Sequence, residues 1–80
     1  MDVKTQDAPP LEEYVDLPAL LPAVAHTFPT ELSLRWFARQ HRAELAAAGA
    51  LICLAGRLRF HPALFERAAI EIGRSSVRAA

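Results

Sequence analysis

The chain has 80 residues, 52% of them hydrophobic, with nine basic and nine acidic side chains and a formal net charge of zero. That length holds one small domain with a modest core and leaves no room for a two-lobed catalytic architecture. A single cysteine, Cys53, excludes an internal disulfide framework and a multi-cysteine zinc site. No apolar run reaches the length of a membrane span, and the opening MDVKTQDAPP is polar and acidic. Neither a membrane segment nor a secretory signal is therefore expected, and the expected location is cytoplasmic, as for a bacterial nucleoid-associated protein.

The neutral total divides along the chain. Residues 1–16 carry a net −4, and residues 17–80 a net +4 in which every basic residue is arginine. Arginine presents a planar fork that matches phosphate and base edges, which the lysine ammonium does not. Residues 1–13, with Pro9-Pro10 and several acids, read as a flexible acidic arm. Residues 14–73 read as the folded domain, and 74–80 as a frayed basic tail.

In chain order, Asp16 is the expected N-cap of a first, short helix. Pro18 suits its opening turn, and Leu17, Leu20, Leu21 and Val24 recur at helical spacing. This helix should end near His26, because Phe28 precedes Pro29 and is biased away from helical geometry. Thr30 then caps a second helix, with Glu31 in its first turn, running to about Ala48 and closed by Gly49. Leu34, Phe37, Ala38, His41 and Leu45 fall on one face of it and form the expected buried stripe.

After Gly49 the period changes. Ala50 to Leu54 is a continuous apolar run, Ala55-Gly56 supplies a tight turn, and Arg57 to His61 alternates polar with apolar. The pattern predicts a β-hairpin with Arg57, Arg59 and His61 on one face, Leu58 and Phe60 on the other, and Cys53 as a buried thiol. Pro62 opens a last helix with an apolar stripe of Leu64, Phe65, Ala68 and Ile72, ending at Gly73. The fold class is therefore mainly α with a small β-hairpin, in the order helix, turn, helix, hairpin, helix. Two helices joined by the turn His26–Pro29 can set the second into a major groove, with the hairpin projecting beside it; this is a winged helix-turn-helix of the MerR-like kind.

The segment from Leu17 to Ile72 resembles the small excisionases, or recombination directionality factors, and the AlpA-like regulators. The matching residues are Pro29-Thr30-Glu31, the run Ser33-Leu34-Arg35-Trp36-Phe37, the turn Gly56-Arg57, and Phe60-His61-Pro62-Ala63-Leu64-Phe65. The Ala-rich stretch 42–50 and the acidic arm depart from that pattern. What the resemblance implies is a DNA-binding accessory protein of a mobile genetic element, regulating DNA recombination. It would bind and bend attachment-site DNA, side by side with further copies of itself, and favour excision by a tyrosine recombinase (integrase) while breaking no bond itself.

The candidate DNA-binding residues on the second helix are Ser33, Arg35, Trp36, Arg39, Gln40 and Arg42, and on the wing Arg57 and Arg59. Arg35 and Arg39 lie one turn apart and can face one groove; Glu31 and Glu44 are their alternative, intramolecular partners. Trp36 lies off the buried stripe and is expected to pack against the wing or another copy before it contacts a base. Arg57 and Arg59 can clamp phosphate or enter a minor groove, or guard a hairpin edge against aggregation. His26, His41 and His61 match no metal-ligand spacing, and no phosphate loop or catalytic triad is recognisable, so no cofactor, metal site or enzyme activity is expected. A transcriptional regulator using the same contacts and a protein-interaction adaptor are the rival readings.

Overall fold

The computed structural model describes residues 9–79. After a 3₁₀ turn at Leu11–Glu13 come helices α1 (Leu17–Val24), α2 (Glu31–Gln40) and α3 (Arg42–Ala47), strands β1 (Leu51–Leu54) and β2 (Arg57–Phe60), and helix α4 (Pro62–Ala79). The chain is thus mostly helical, with one antiparallel hairpin between helices.

Local chemistry accounts for the element starts. The Asp16 side chain accepts the Ala19 N–H and caps α1, and Pro18 sits in the first turn, where its missing N–H costs nothing. Pro22 lies inside α1 and the helix is only eight residues long, closed by Thr27 and Phe28 N–H groups donating to Val24 O. Thr30 caps α2 in a reciprocal box with Ser33: the Ser33 N–H donates to Thr30 Oγ1 at 3.1 Å and the Thr30 N–H to Ser33 Oγ at 3.3 Å.

The expected single helix from Thr30 to Ala48 is two helices. His41 takes φ −117° and ψ 30°, outside helical geometry, and bends the axis between α2 and α3. Its ring packs tilted against Phe37, centroids 4.7 Å apart and planes inclined by 46°, while its Nδ1 lies 3.0 Å from Glu44 Oε1, so His41 is half-buried at a corner rather than enclosed in the stripe. Gly49, at φ +78°, closes α3 as expected, with the Ala50 N–H donating back to Leu45 O.

Strands β1 and β2 pair from Leu51 opposite Phe60 to Leu54 opposite Arg57. The two-residue turn has positive φ at both Ala55 (52°) and Gly56 (75°), the mirror-image turn whose twist matches a hairpin. A two-stranded hairpin is marginal alone. Here its base is extended by Val15, which exchanges both backbone hydrogen bonds with Phe60 at 2.8 and 2.7 Å. Leu20, Leu34, Leu45, Phe60 and Phe65 are fully enclosed, so all four helices and the base of the hairpin contribute to one core. Phe60 and Phe65 meet edge to face with centroids 6.0 Å apart, an arrangement worth about 0.5–1.5 kcal/mol beyond its buried area.

Three further expectations are corrected. Helix α4 does not stop at Gly73 but runs to Ala79, so the residues read as a tail are helical, with Arg74 paired to Glu71 at 3.1 Å. Cys53 is exposed, because the hairpin leaves the core beyond Leu51 and its tip is solvated on both faces. His61 does not share the outer face of Arg57 and Arg59: it follows the strand's end and is buried. Of the acidic arm, residues 1–8 lie outside the described residues, while Leu11–Glu13 form an ordered turn docked on the hairpin base.

Candidate nucleic-acid interface

Helix α2 packs on α1, and its side carrying Arg35, Ala38 and Arg39 faces the hairpin across a gap. Between them runs an open groove of about 470 Å³ lined by Arg35, Arg39, Arg42 and Arg57, with Leu58 and Phe60 along the hairpin and Asp16 at the start of α1. Arg35 and Arg39 are one turn apart on α2, and Arg42 opens α3 just past the His41 corner. Arg57 comes from the opposite wall, beside the hairpin turn. Residues 15 to 22 positions apart in sequence are thereby brought to one concave surface carrying four guanidinium groups and one carboxylate.

The cations are available. Arg35 lies 3.7 Å from Glu31, but both side chains are about half exposed (52% and 46%), a pairing of at most about 1 kcal/mol that a phosphate can displace. Glu44, the other acidic partner expected for these arginines, is engaged by His41 instead. Convergent guanidinium forks over a shallow apolar floor can hold a phosphodiester bidentately or meet guanine edges.

Not every candidate residue reaches this groove. The Ser33 hydroxyl is consumed by the capping box, also donating to Thr30 O at 2.8 Å. Arg59, two residues from Arg57 and on the same face of β2, does not line the groove; it lies in a recess with Leu11, Tyr14, Leu54 and Arg57 and is half-buried, so that Arg57, beside the turn, borders both surfaces. Gln40, the last residue of α2, is exposed and outside the groove lining. Trp36 is 61% exposed and borders an apolar recess with Phe28, Leu32 and Phe37 that contains no hairpin residue. The expected packing of Trp36 on the wing is therefore corrected: on α2 it projects about 100° round from Arg35, and the hairpin stands on the Arg35 side. From sequence Asp16 is legible only as a cap; its place in the groove depends on how α1 meets α2, which no local pattern encodes.

Among the described residues no three His, Cys, Asp or Glu side chains converge as metal ligands, and no helix is long and apolar enough to cross a membrane. Comparison with protein-family models, with curated proteins and with solved structures gives no match.

Proposed function

We propose that the protein binds double-stranded DNA as a winged helix-turn-helix, with α2 as the recognition helix and the β1–β2 hairpin as the wing. The observation that carries this reading is the convergence of Arg35, Arg39 and Arg42 with Arg57 across the groove between helix and hairpin. Arg35 and Arg39 supply base or phosphate contacts in the major groove, each good bidentate base contact being worth about 1–3 kcal/mol, and Arg57 clamps the flanking backbone. Within this reading the role is that of an excisionase-type accessory protein of a mobile element, bending attachment-site DNA beside further copies and an integrase. That role rests on the resemblance of the Leu17–Ile72 segment, and a small transcriptional regulator uses the same contacts.

The test is fluorescence anisotropy with labelled duplexes across a salt series, followed by footprinting over the attachment region of the element encoding the chain. Binding should weaken steeply with salt, and Arg35→Ala and Arg57→Ala should each reduce the slope of log affinity against log salt by about one. Absence of binding to any duplex at low salt, or identical curves for both variants and the parent, removes the reading. The exposed Leu32 and Trp36 favour a second reading, a protein-interaction adaptor, in that event.

A further inference from the structure

Helix α4 has an outer stripe that its own core does not use. Glu66, Ile70, Gly73 and Val77 are spaced four, three and four residues apart, which places them within about 60° of one another on the helix surface. Ile70 is 57% and Val77 77% exposed, and the last buried residue of α4 is Ile72, so Val77 sits on turns that project beyond the core. Alongside the stripe lies an apolar groove of about 460 Å³ between α4, α2 and the α1–α2 turn, floored by Phe28, Phe37 and Phe65 and rimmed by Glu66, Ile70 and Gly73.

This face carries both halves of its own complement. It offers an apolar knob, Val77, and an apolar groove; it offers an anion, Glu66, on the rim, and beside the stripe the long side chain of Arg78, one residue past the knob and about 100° round the helix from it. Among the described residues neither Glu66 nor Arg78 forms an ion pair. We propose that this face pairs with the same face of a second copy of the chain about a two-fold axis, the two α4 helices running antiparallel and crossing at Gly73. With Gly73 at the axis, Ile70 of one copy stands level with Val77 of the other, Val77 enters the facing phenylalanine groove, and Glu66 comes within side-chain reach of the opposing Arg78. Gly73 has no Cβ, and a Cβ built there meets nothing within 4 Å in the single chain, so the backbones can approach closely at the crossing. A self-complementary surface of this kind closes into a dimer instead of propagating. The pairing does not depend on DNA, and it leaves the arginine groove of each copy open.

Sedimentation equilibrium of the full chain, from low micromolar to about 1 mM, tests it. The parent should dimerise, and Val77→Asp, a change at an exposed position that leaves the core intact, should raise the dissociation constant at least about tenfold. Glu66→Arg and Arg78→Glu should each weaken the dimer, and the two together should recover most of the loss, as an exchanged ion pair requires. Circular dichroism of each variant confirms the fold. A parent that stays monomeric throughout, or a dimer that Val77→Asp and the charge exchange leave unchanged, overturns the proposal. Duplex binding measured on the same variants separates the two readings: Val77→Asp keeps the whole arginine groove, so its loss of dimer with retained single-site binding supports both. A dimer that binds no duplex leaves this pairing standing and removes the DNA reading alone.

Discussion

Glu13 and His61, 48 positions apart in the chain, meet with Oε1 2.8 Å from Nε2, and the other ring nitrogen of His61 accepts the Leu64 N–H at 3.1 Å. That second bond makes His61 the N-cap of α4, with Pro62 at the first helical position. Because Nδ1 accepts, the ring proton resides on Nε2 and is donated to Glu13. One imidazole therefore starts the last helix and pins the N-terminal segment to the hairpin base. Tyr14 reinforces it, packing edge-on to the ring at 5.3 Å and donating its hydroxyl to Gly49 O at 2.8 Å.

His61→Ala removes the cap, the Glu13 bond and a buried ring together, and should lower unfolding free energy by about 1–3 kcal/mol in urea titrations. His61→Asn keeps a capping oxygen and should recover part of the loss. Glu13→Ala, at a half-exposed carboxylate, should cost no more than about 1 kcal/mol. Equal losses for His61→Ala and His61→Asn would show that capping is not what the ring contributes.

Ala55 holds φ at 52° in the hairpin turn, a region that costs an L-residue with a Cβ roughly 1–2 kcal/mol. Asparagine tolerates it, and Asn-Gly is the preferred pair for this turn. Ala55→Asn should therefore stabilise the fold by about 0.5–1 kcal/mol, raising the thermal midpoint by about 2–8 °C. Gly56→Ala, at φ +75° in open space, should do the opposite through backbone strain alone. An unchanged midpoint in both variants would mean that the turn does not limit stability.

The two hairpin arginines should separate under the DNA-binding reading. Arg57→Ala removes a cation from the groove and should reduce duplex affinity about five- to tenfold at moderate salt, with a shallower salt dependence. Arg59→Ala, at a position outside the groove lining, should change affinity by no more than about twofold. Equal effects would place the duplex over the hairpin tip and not along the groove; anisotropy titrations read both.

Trp36 is the chain's single tryptophan and stands 61% exposed. Its emission in the folded protein at low concentration should lie close to that of the unfolded chain, and acrylamide should quench it efficiently. A blue-shifted band with weak quenching at high dilution would mean that a part of the chain covers the indole.

What the residues disclosed in advance follows a physical division. Signals confined to four or five neighbours were readable: the Asp16 and Thr30 caps, Gly49 at the end of α3, and the Ala55-Gly56 turn. So was the buried alternation of Leu34, Ala38 and Leu45, because a single period fixed it on either side of the bend. The bend itself was not. Periodicity runs unbroken through His41, and its departure from helical geometry answers to the packing of its ring on Phe37 and to Glu44. Gly73 carries the usual mark of a helix end, yet a stop of that kind needs a left-handed turn there, and α4 continues instead into Ser76, whose hydroxyl donates to Ile72 O. Cys53 was misplaced because an apolar run suggests burial without saying where the hairpin parts from the core. For the arginine groove, the residue type and the two segments were legible; that Arg57, beside the turn, borders the groove while Arg59 on the same strand face does not depends on how the hairpin is set against α2.

The Val15–Phe60 pairing and the Tyr14 hydroxyl set the shortest piece of this chain that can be expected to hold together. A version trimmed to begin at the first helix, Leu17, would keep every helix and both strands and still lose the residues that seal the hairpin's outer edge and the back of the Gly49 corner. Such a piece should be soft to proteases at the hairpin, whereas one beginning at Pro9 should resist them. Any fusion partner or tag therefore belongs upstream of Pro9, with the segment from Glu13 to Asp16 left intact.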